Sequence, residues 1–335
     1  MFAFTPPKLF PNTKLPRQPE STQMNNPVKE VLYWSATMVD DAPNLDTQLQ
    51  ATLSSGFNNI LLWSLHVNQP LPDKNIVLGD LTWNGTVLVS SETGKSVFDP
   101  TNSFTKLATR LNAFVAAGKK IFFSIGSEPP EDRTGDFGTI KELYSTSEGQ
   151  TTLQNNFGAL LESLSMVAGF DFDVEDCFDV PSTAWLTQVL ANKFKVKATI
   201  TYCPFGDKEW WEQCLESVYQ ASQKQPVTGF NLQCYSGGVR QDPMAWASYI
   251  KSNQEKNGVA DSSTFIVPGY AANNQAGDGP GICPDDFTTK LSPYKGKIGG
   301  AFVWDSQHVF DDPAPCNGRT ATIDDYANAI ATALQ

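Results

Sequence analysis

The residues with the clearest chemical potential are three carboxylates in the stretch Gly169-Phe-Asp-Phe-Asp-Val-Glu175. Asp171, Asp173 and Glu175 alternate with apolar residues, so a strand here would turn all three to one face, about 6.6 Å apart. Two charges at that distance repel by about 2.5 kcal/mol at an effective dielectric near 20. The repulsion eases when one carboxyl keeps its proton, which raises its pKa and suits a general acid at neutral pH.

An alternation of strands and helices surrounds this stretch. Short β-branched and aromatic runs predict eight strands, separated by segments whose apolar residues have helical spacing. The predicted strands are Glu30–Ala36, Asn59–Val67, Lys120–Gly126, Gly169–Glu175, Val196–Cys203, Gly229–Tyr235, Phe265–Tyr270 and Gly299–Asp305. This order predicts an α/β protein with a parallel sheet closed into a single (β/α)8 TIM barrel. An open doubly wound sheet is the alternative, but no G-x-G-x-x-G motif follows the first strand.

The predicted helices and loops complete the barrel. Apolar spacing predicts helices over residues 45–53, 107–115, 153–164, 185–190 and 323–334. Long loops are predicted after strand 2 (68–103) and strand 3 (127–150), on the face where a TIM barrel carries its active site. Asn84-Gly85 predicts a hairpin with a type I′ turn in the first loop. This hairpin either decorates the barrel or walls a groove in which Trp83 offers an aromatic platform to a substrate.

Composition argues against several kinds of partner. The chain has 36 acidic and 24 basic residues and a net charge of −12, which disfavours nucleic acids and anionic membranes. No apolar stretch approaches the roughly 18 residues that span a membrane. With two histidines and no C-x-x-C pair, we expect no metal and no cofactor.

We expect two regions in the chain. Residues 1–28 are rich in Pro, Asn, Thr and Gln and predict an extended N-terminal tail without a recognisable signal peptide. Residues 29–335 predict the barrel domain, which we expect to be a monomer. Six cysteines would allow disulfides in a secreted protein, and Cys283 and Cys316, both in Pro/Gly-rich loops, are the best candidate pair.

The acidic stretch resembles the D-G-x-D-x-D-x-E signature of glycoside hydrolase family 18, the chitinases and endo-β-N-acetylglucosaminidases. The resemblance implies that Glu175 is the acid/base that protonates the glycosidic oxygen. It implies that Asp173 orients the 2-acetamido group of the substrate and that Asp171 supports Asp173. It also implies that the acetamido oxygen attacks the anomeric carbon, so that the enzyme supplies no nucleophile.

Other segments are similar to further elements of the family. Gln233-Cys-Tyr235 resembles the Q-x-Y element after strand 6, which implies that Gln233 binds substrate and that Tyr235 bonds the acetamido carbonyl. Trp304 ends strand 8 and resembles the tryptophan that floors the −1 sugar subsite. Tyr33 on strand 1 is expected to line the barrel at the substrate, and Trp83 becomes a candidate sugar platform.

The chain departs from the family pattern in two places. Ser124-Ile-Gly-Ser127 resembles the S-x-G-G element, with Ser127 in place of the second glycine. Ala168 replaces the first aspartate of the signature, which we expect to weaken the relay through Asp173. Neither departure touches the pair Asp173 and Glu175.

Three function hypotheses follow. The first is a hydrolase that cleaves β-1,4 bonds of N-acetylglucosamine-containing glycans, either chitin and chito-oligosaccharides or N-glycans; this substrate class favours a secreted protein. The second is a carbohydrate-binding or enzyme-inhibiting protein that keeps the hydrolase fold but has lost its activity. Ala168 and Ser127 support this hypothesis. The third is an unrelated barrel, but Lys195 and Lys197 lie at the wrong strand end for an aldolase.

Overall fold

The computed structural model describes residues 28–36, 38, 41–71, 75–92, 95–98, 102–129, 131, 133–192, 198–272, 281–311, 315–316 and 318–335. The N-terminal tail predicted over residues 1–28 lies outside these residues except for Val28, and so do Lys195 and Lys197.

Eight parallel strands of the described chain close into a barrel. They are β1 (Lys29–Trp34), β2 (Asn59–Val67), β3 (Lys120–Ile125), β4 (Val167–Phe172), β5 (Thr199–Tyr202), β6 (Val227–Gln233), β7 (Ile266–Ala271) and β8 (Gly300–Trp304). Each strand pairs with the next, and β1 pairs with both β2 and β8, which closes the cylinder. The predicted TIM barrel is confirmed, and the open sheet is wrong.

Helices follow the strands around the outside of the barrel. They are α1 (Leu45–Ser54), α2 (Asn102–Ala116), α3 (Asp136–Tyr144), α4 (Ser147–Ser163), α5 (Val180–Asn192), α6 (Lys208–Ser222), α7 (Pro243–Ser252), α8 (Gln254–Asn257), α9 (Pro284–Leu291), α10 (Ser306–Phe310) and α11 (Ile323–Leu334). Single 3₁₀ turns cover Ser236–Gly238 and Ser292–Tyr294. The five predicted helical segments fall on α1, α2, α4, α5 and α11. No helix in the described part of the chain is long and apolar enough to span a membrane.

The predicted hairpin is present in the connection after β2. Strand Leu81–Trp83 pairs antiparallel with Thr86–Glu92, which pairs in turn with Lys95–Phe98. Asn84 and Gly85 have φ values of 45° and 77°, as a type I′ turn requires. Leu81–Trp83 also pairs antiparallel with the end of β2, so the hairpin extends the barrel sheet outward.

The connection after β3 differs from the prediction. The sequence predicts a loop over residues 127–150, but α3 and the beginning of α4 occupy residues 136–150. The irregular part of this connection is therefore confined to the residues between β3 and α3.

The core has an outer and an inner part. Phe170, Phe172 and Val174 belong to the large outer cluster between strands and helices. The inner cluster lies within the barrel and contains Val31, Tyr33, Leu61, Phe122, Cys203, Tyr235, Val267, Ala271 and Phe302. The predicted alternation of faces along β4 is confirmed, since Asp171 contacts inner residues. The strand ends at Phe172, however, so the last two acidic residues lie beyond its carboxyl end.

Candidate active site

The three acidic residues form a line from the barrel interior to its carboxyl-terminal opening. Asp171 is fully buried within β4, and Asp173 is 2% exposed just after the strand. Glu175, two residues further on, is only partly buried. Solvent and a substrate therefore reach Glu175 first, while Asp171 acts from behind.

Asp171 is held by four hydrogen-bond donors from four strands. Its Oδ2 accepts from the Tyr33 hydroxyl at 2.8 Å and the Ser124 hydroxyl at 2.9 Å. Its Oδ1 accepts from the Thr201 hydroxyl at 2.6 Å and the Asn231 amide at 2.9 Å. Burial raises the pKa of Asp171, and these hydrogen bonds oppose that rise. Four donors favour the ionised carboxylate, which accepts at both oxygens.

Asp173 lies between two side-chain donors. The Gln233 amide donates to its Oδ1 at 3.0 Å, and the Trp63 indole N–H donates to its Oδ2 at 3.2 Å. Burial raises the pKa of Asp173 well above its usual range, and the nearby charges of Glu175 and Asp171 raise it further.

Glu175 is linked to Asp173 through a shared donor. The same Gln233 amide nitrogen that bonds Asp173 also donates to Glu175 Oε1, at 3.2 Å. Burial raises the pKa of Glu175, while hydrogen bonds from Gln233 and Asp173 lower it. Burial favours the protonated form of both carboxyls, and repulsion disfavours two negative charges side by side. The pair therefore retains one proton at pH values above the usual pKa range of carboxyl groups.

Aromatic rings surround the carboxylates at the opening. Trp304 stacks on Tyr235 with an interplanar angle of 18° and a centroid distance of 5.7 Å. Trp63 meets Trp304 edge-on at 4.9 Å, and Tyr33 packs on it at 5.4 Å. Trp63 and Trp304 are partly exposed, whereas Tyr235 is buried. The two tryptophans therefore offer apolar surface next to Asp173, which Trp63 contacts directly.

The structure brings most of the expected site residues together. Gln233, Tyr235 and Trp304 lie at the carboxyl ends of β6 and β8, close to the acidic residues. Tyr33 also points into the barrel, but it is fully buried and bonds Asp171. It supports the acidic cluster from beneath, so its expected place at the substrate is corrected.

Trp83 does not belong to the site. Its side chain is fully buried in the outer core and packs edge-on against Phe123 at 6.0 Å. The expectation of a sugar platform is wrong, because the hairpin turns this ring towards the outer core.

Three residues of the site do not belong to any motif that resembles the family. Trp63, Thr201 and Asn231 all donate to the acidic cluster or to its neighbours. Their parity along the strands is the available signal, since Asn231 precedes Gln233 by two residues and must share its face. Parity alone does not show which inward residues meet across the barrel.

The departure at Ala168 leaves the cluster intact. This residue is partly buried against the inner cluster and lies three residues before Asp171, about 10 Å along the strand. The four donors to Asp171 are all present, so the expected weakening through Ala168 has no contact to support it.

Gly126 is needed close to Asp173. Its φ is 99°, and a Cβ there would lie 2.2 Å from the Asp173 carbonyl oxygen. The retained glycine of the S-x-G-G-like element thus allows β3 to approach the acidic segment. Ser127 lies beyond this approach.

The loop that carries Glu175 is anchored to α3. The carboxylate of Asp176 accepts from the backbone N–H groups of Phe137 and Gly138 at 3.2 and 2.7 Å, at the first turn of the helix. Because Asp176 directly follows Glu175, this cap fixes the chain at the acid residue.

His66 serves the same helix. Its Nδ1 lies 2.9 Å from Asp136 Oδ2, while Asp136 Oδ1 accepts from the backbone N–H of Val67 at 2.6 Å. His66 Nε2 lies 2.9 Å from the hydroxyl of Ser64, which is 2% exposed. The His66 network thus links the carboxyl end of β2 to the first residue of α3. Within the described residues, no group of three or more His, Cys, Asp or Glu side chains could hold a metal ion.

Comparison with known proteins yields likeness at the level of structure. No family profile matches the chain, and no curated protein matches its sequence. A family 18 chitinase from Pseudoalteromonas aurantia aligns with a TM-score of 0.59 and 17% identity, over 91% of this chain and 100% of that one. A fungal endo-β-N-acetylglucosaminidase of glycosyl hydrolase family 18 aligns with a TM-score of 0.61 and 18% identity, over 92% and 98% of the two chains.

A more distant structure shows the same likeness. A chitinase from Bacteroides thetaiotaomicron aligns with a TM-score of 0.56 and 13% identity, over 90% of this chain and 95% of that one. At these identities the likeness is one of fold, and it extends over nearly the whole length of each partner. The chain thus has the barrel fold found in solved chitinases and endo-β-N-acetylglucosaminidases of family 18.

Proposed function

We propose that this protein is a family 18-type glycoside hydrolase that cleaves β-1,4 bonds next to N-acetylglucosamine by substrate-assisted, retaining catalysis. The observation that carries the proposal is the pair Asp173 and Glu175, bridged by the Gln233 amide at 3.0 and 3.2 Å. This pair stands at the carboxyl-terminal end of a TIM barrel, where such barrels carry their chemistry.

Glu175 is the general acid. It is the most exposed of the three acidic residues, and burial raises its pKa, so a proton remains available in the range where ordinary glutamates have lost theirs. The proton passes to the glycosidic oxygen as the bond from that oxygen to the anomeric carbon breaks. Glu175 then acts as base and takes a proton from the incoming water.

Asp173 orients the substrate's acetamido group, whose oxygen is the nucleophile. The acetamido oxygen bonds to the anomeric carbon while the leaving group departs, which places positive charge on the acetamido group. Asp173 orients the acetamido N–H and balances this charge from its position between Trp63 and Gln233. Asp171, held by its four donors, supplies a fixed negative charge behind Asp173.

Tyr235 and Trp304 complete the sugar subsite. We assign the Trp304 ring, which stacks on Tyr235 and is partly exposed, as the floor for the −1 sugar, and the Tyr235 hydroxyl as a donor to the acetamido carbonyl. Stacking of a neutral sugar on an aromatic ring suits a chain with a net charge of −12, which would repel an anionic glycan.

Chitin or a chito-oligosaccharide is the proposed substrate, and an N-glycan core is the competing one. Solved chitinases and a fungal endo-β-N-acetylglucosaminidase share the fold, so both substrates fit the comparison. The product profile on chitin oligomers and on a high-mannose glycopeptide separates them. The disulfide between Cys283 and Cys316 supports a secreted protein, because such bonds persist in oxidising compartments.

The decisive experiment compares wild type, Glu175→Gln and Glu128→Gln on a fluorogenic N,N′-diacetylchitobioside. We expect Glu175→Gln to lose about 10²–10⁴-fold in kcat, the contribution of a general acid. Glu128 is an exposed carboxylate near Glu175, so Glu128→Gln is a matched control that should stay within a few-fold of wild type. Equal rates for wild type and Glu175→Gln would sink the assignment. Binding of chitin by the wild type without turnover, at acidic and neutral pH, would favour a binding protein instead.

A further inference from the structure

A cavity opens at the amino-terminal end of the barrel, opposite the acidic site. Its volume is about 1100 Å³, and it is lined by the first residues of several strands, among them Lys29, Asn59, Lys120 and Thr199. Small-molecule sites commonly have volumes of about 300–1,000 Å³, so this cavity has room for a ligand.

The charged side chains on its described lining are mainly cationic. They are Lys29, Lys120 and Lys295, with Asp261 as the acidic member. Asp261 accepts hydrogen bonds from Ser263 and Thr264 in its own turn, and no described residue forms an ion pair with the three lysines. In a protein of net charge −12, this is a local excess of positive charge.

The positive charges of Lys29 and Lys120 repel each other. The Lys29 ammonium donates to the Thr228 carbonyl at 3.0 Å and is partly buried at the cavity edge. Burial, and then the charge of Lys120, lower the pKa of Lys29 to about 8. Two ammonium groups that repel each other without a counter-ion gain stability when an anion binds to both.

The rest of the lining suits the body of a polar small molecule. Hydroxyl and amide side chains are supplied by Asn59, Thr199, Thr201, Thr228 and Asn231, and an apolar part is formed by Val31, Leu61 and Phe122. Hydrogen-bonding groups beside an apolar surface are the usual composition of a small-molecule site.

We propose that this cavity binds a phosphorylated small molecule, with its phosphate between Lys29 and Lys120. Phosphate fits because lysine binds it as a point charge and because the Thr199 hydroxyl on the same lining can donate to one of its remaining oxygens. The proposal rests on the cavity alone and is independent of the hydrolase assignment.

The cavity and the acidic site share two side chains. Thr201 and Asn231 line the cavity, and the same two side chains donate to Asp171 at 2.6 and 2.9 Å. A ligand that displaces either side chain changes the hydrogen bonds that hold Asp171.

The test is calorimetric titration of the purified full-length chain with inorganic phosphate, with chloride at equal ionic strength as the reference anion. We expect saturable binding to the wild type that weakens by about tenfold or more in Lys29→Met and in Lys120→Met, a loss of about 1.4 kcal/mol or more. Lys251→Met removes an exposed lysine on α7 and should leave binding unchanged.

Two results would overturn the proposal. One is the absence of phosphate binding by the wild type, and the other is equal binding by wild type, Lys29→Met and Lys120→Met, which would place the anion elsewhere. Lys120 is exposed at the beginning of β3, so Lys120→Met keeps the test available if Lys29→Met fails to fold. Circular dichroism checks the fold of each variant. Glycan turnover is not read out, so a failed hydrolase assay leaves this result intact.

Discussion

At the scale of single residues, the site concentrates negative charge where the fold can least accommodate it. Burial raises the pKa of Asp173 well above its usual range, and Glu175 and Asp171 raise it further. The native state therefore binds this proton more tightly than the unfolded chain does. At pH values below the ordinary carboxyl pKa, Asp173 is protonated in both states, so its ionisation does not change the free energy of unfolding. As the pH rises towards the native pKa, Asp173 ionises in the unfolded chain but stays protonated in the native state. The free energy of unfolding therefore falls.

Asp173→Asn should therefore stabilise the protein while it removes activity. The gain in the free energy of unfolding should be small near pH 4 and should grow as the pH rises to neutrality, by about 1.4 kcal/mol for each unit of pKa shift that is relieved. Urea denaturation across this pH range measures it. Asp261 is the opposite case, since hydrogen bonds from Ser263 lower its pKa. Asp261→Asn should lose stability at neutral pH, and a pH-independent effect of Asp173→Asn would contradict the account.

Tyr33→Phe tests whether the hydroxyl under the cluster is needed. The variant keeps the ring contacts with Phe302 and Trp304 and removes the 2.8 Å hydrogen bond to Asp171. Loss of a donor raises the pKa of Asp171, so the acidic limb of the kcat profile should move to higher pH, with KM little changed. A hydrogen bond to a charged group contributes about 1.5–3 kcal/mol, which sets the scale of the loss.

Tyr202→Phe provides the matched control for this change. Tyr202 is also fully buried, and its hydroxyl bonds Thr187 at 2.7 Å on the outer side of the barrel. Both variants should lose stability, but only Tyr33→Phe should move the pH profile. If both profiles stay unchanged, Tyr33 has a packing role alone.

At the scale of elements, the sequence predicts the strands better than the connections between them. The alternation of apolar and polar residues predicts β4 and the face of its carboxylates, because this pattern is local. The sequence does not predict helix α3 because its beginning is stabilised from a distance: Asp176, nearly 40 residues later, caps its first turn. A segment containing Gly138 has weak intrinsic helix propensity, and the contact that compensates is tertiary.

Asp176→Ala should affect stability and catalysis together. Loss of a helix cap costs about 1 kcal/mol, and here it also releases the chain beside Glu175. We expect a lower Tm and a several-fold lower kcat/KM. Thr322→Ala removes the cap of α11, which accepts from the Asp325 N–H at 3.2 Å. That control should lower the Tm by a similar amount and leave kcat/KM unchanged; an equal loss of activity in both variants would remove the special role of Asp176.

At the scale of the whole molecule, closure of the barrel decides which inward residues meet. Trp63 on β2 and Gln233 on β6 reach the same carboxylate, although 170 residues of chain separate them. Parity predicts that each faces inward, but their common height depends on the stagger of the strands around the barrel. Family resemblance identified Gln233, whereas Trp63 emerged only from the closed structure. The same limit applies to Trp83, whose hairpin was predicted but whose packing was not.

The disulfide acts on the whole molecule, and its effect should be separable from the chemistry. Cys283, before α9, and Cys316, before α11, lie 33 residues apart and enclose β8. Closing a loop of this length should stabilise the fold by up to about 4 kcal/mol through the unfolded state. Cys283→Ser/Cys316→Ser should therefore unfold at lower urea concentration, and a reductant should destabilise wild type but leave the variant unchanged.

Activity of this variant at low temperature should remain close to that of wild type. The acidic residues are held by donors on β1, β2, β3, β5 and β6, all outside the loop that the disulfide closes. Trp304 on β8 is a site residue within that loop, and its ring contacts Tyr235, Trp63 and Tyr33, which lie outside the loop. A selective rise in KM would therefore place the effect on the sugar floor. Loss of kcat in a folded variant would instead show that the cross-link helps to position the acidic cluster, which its location does not predict.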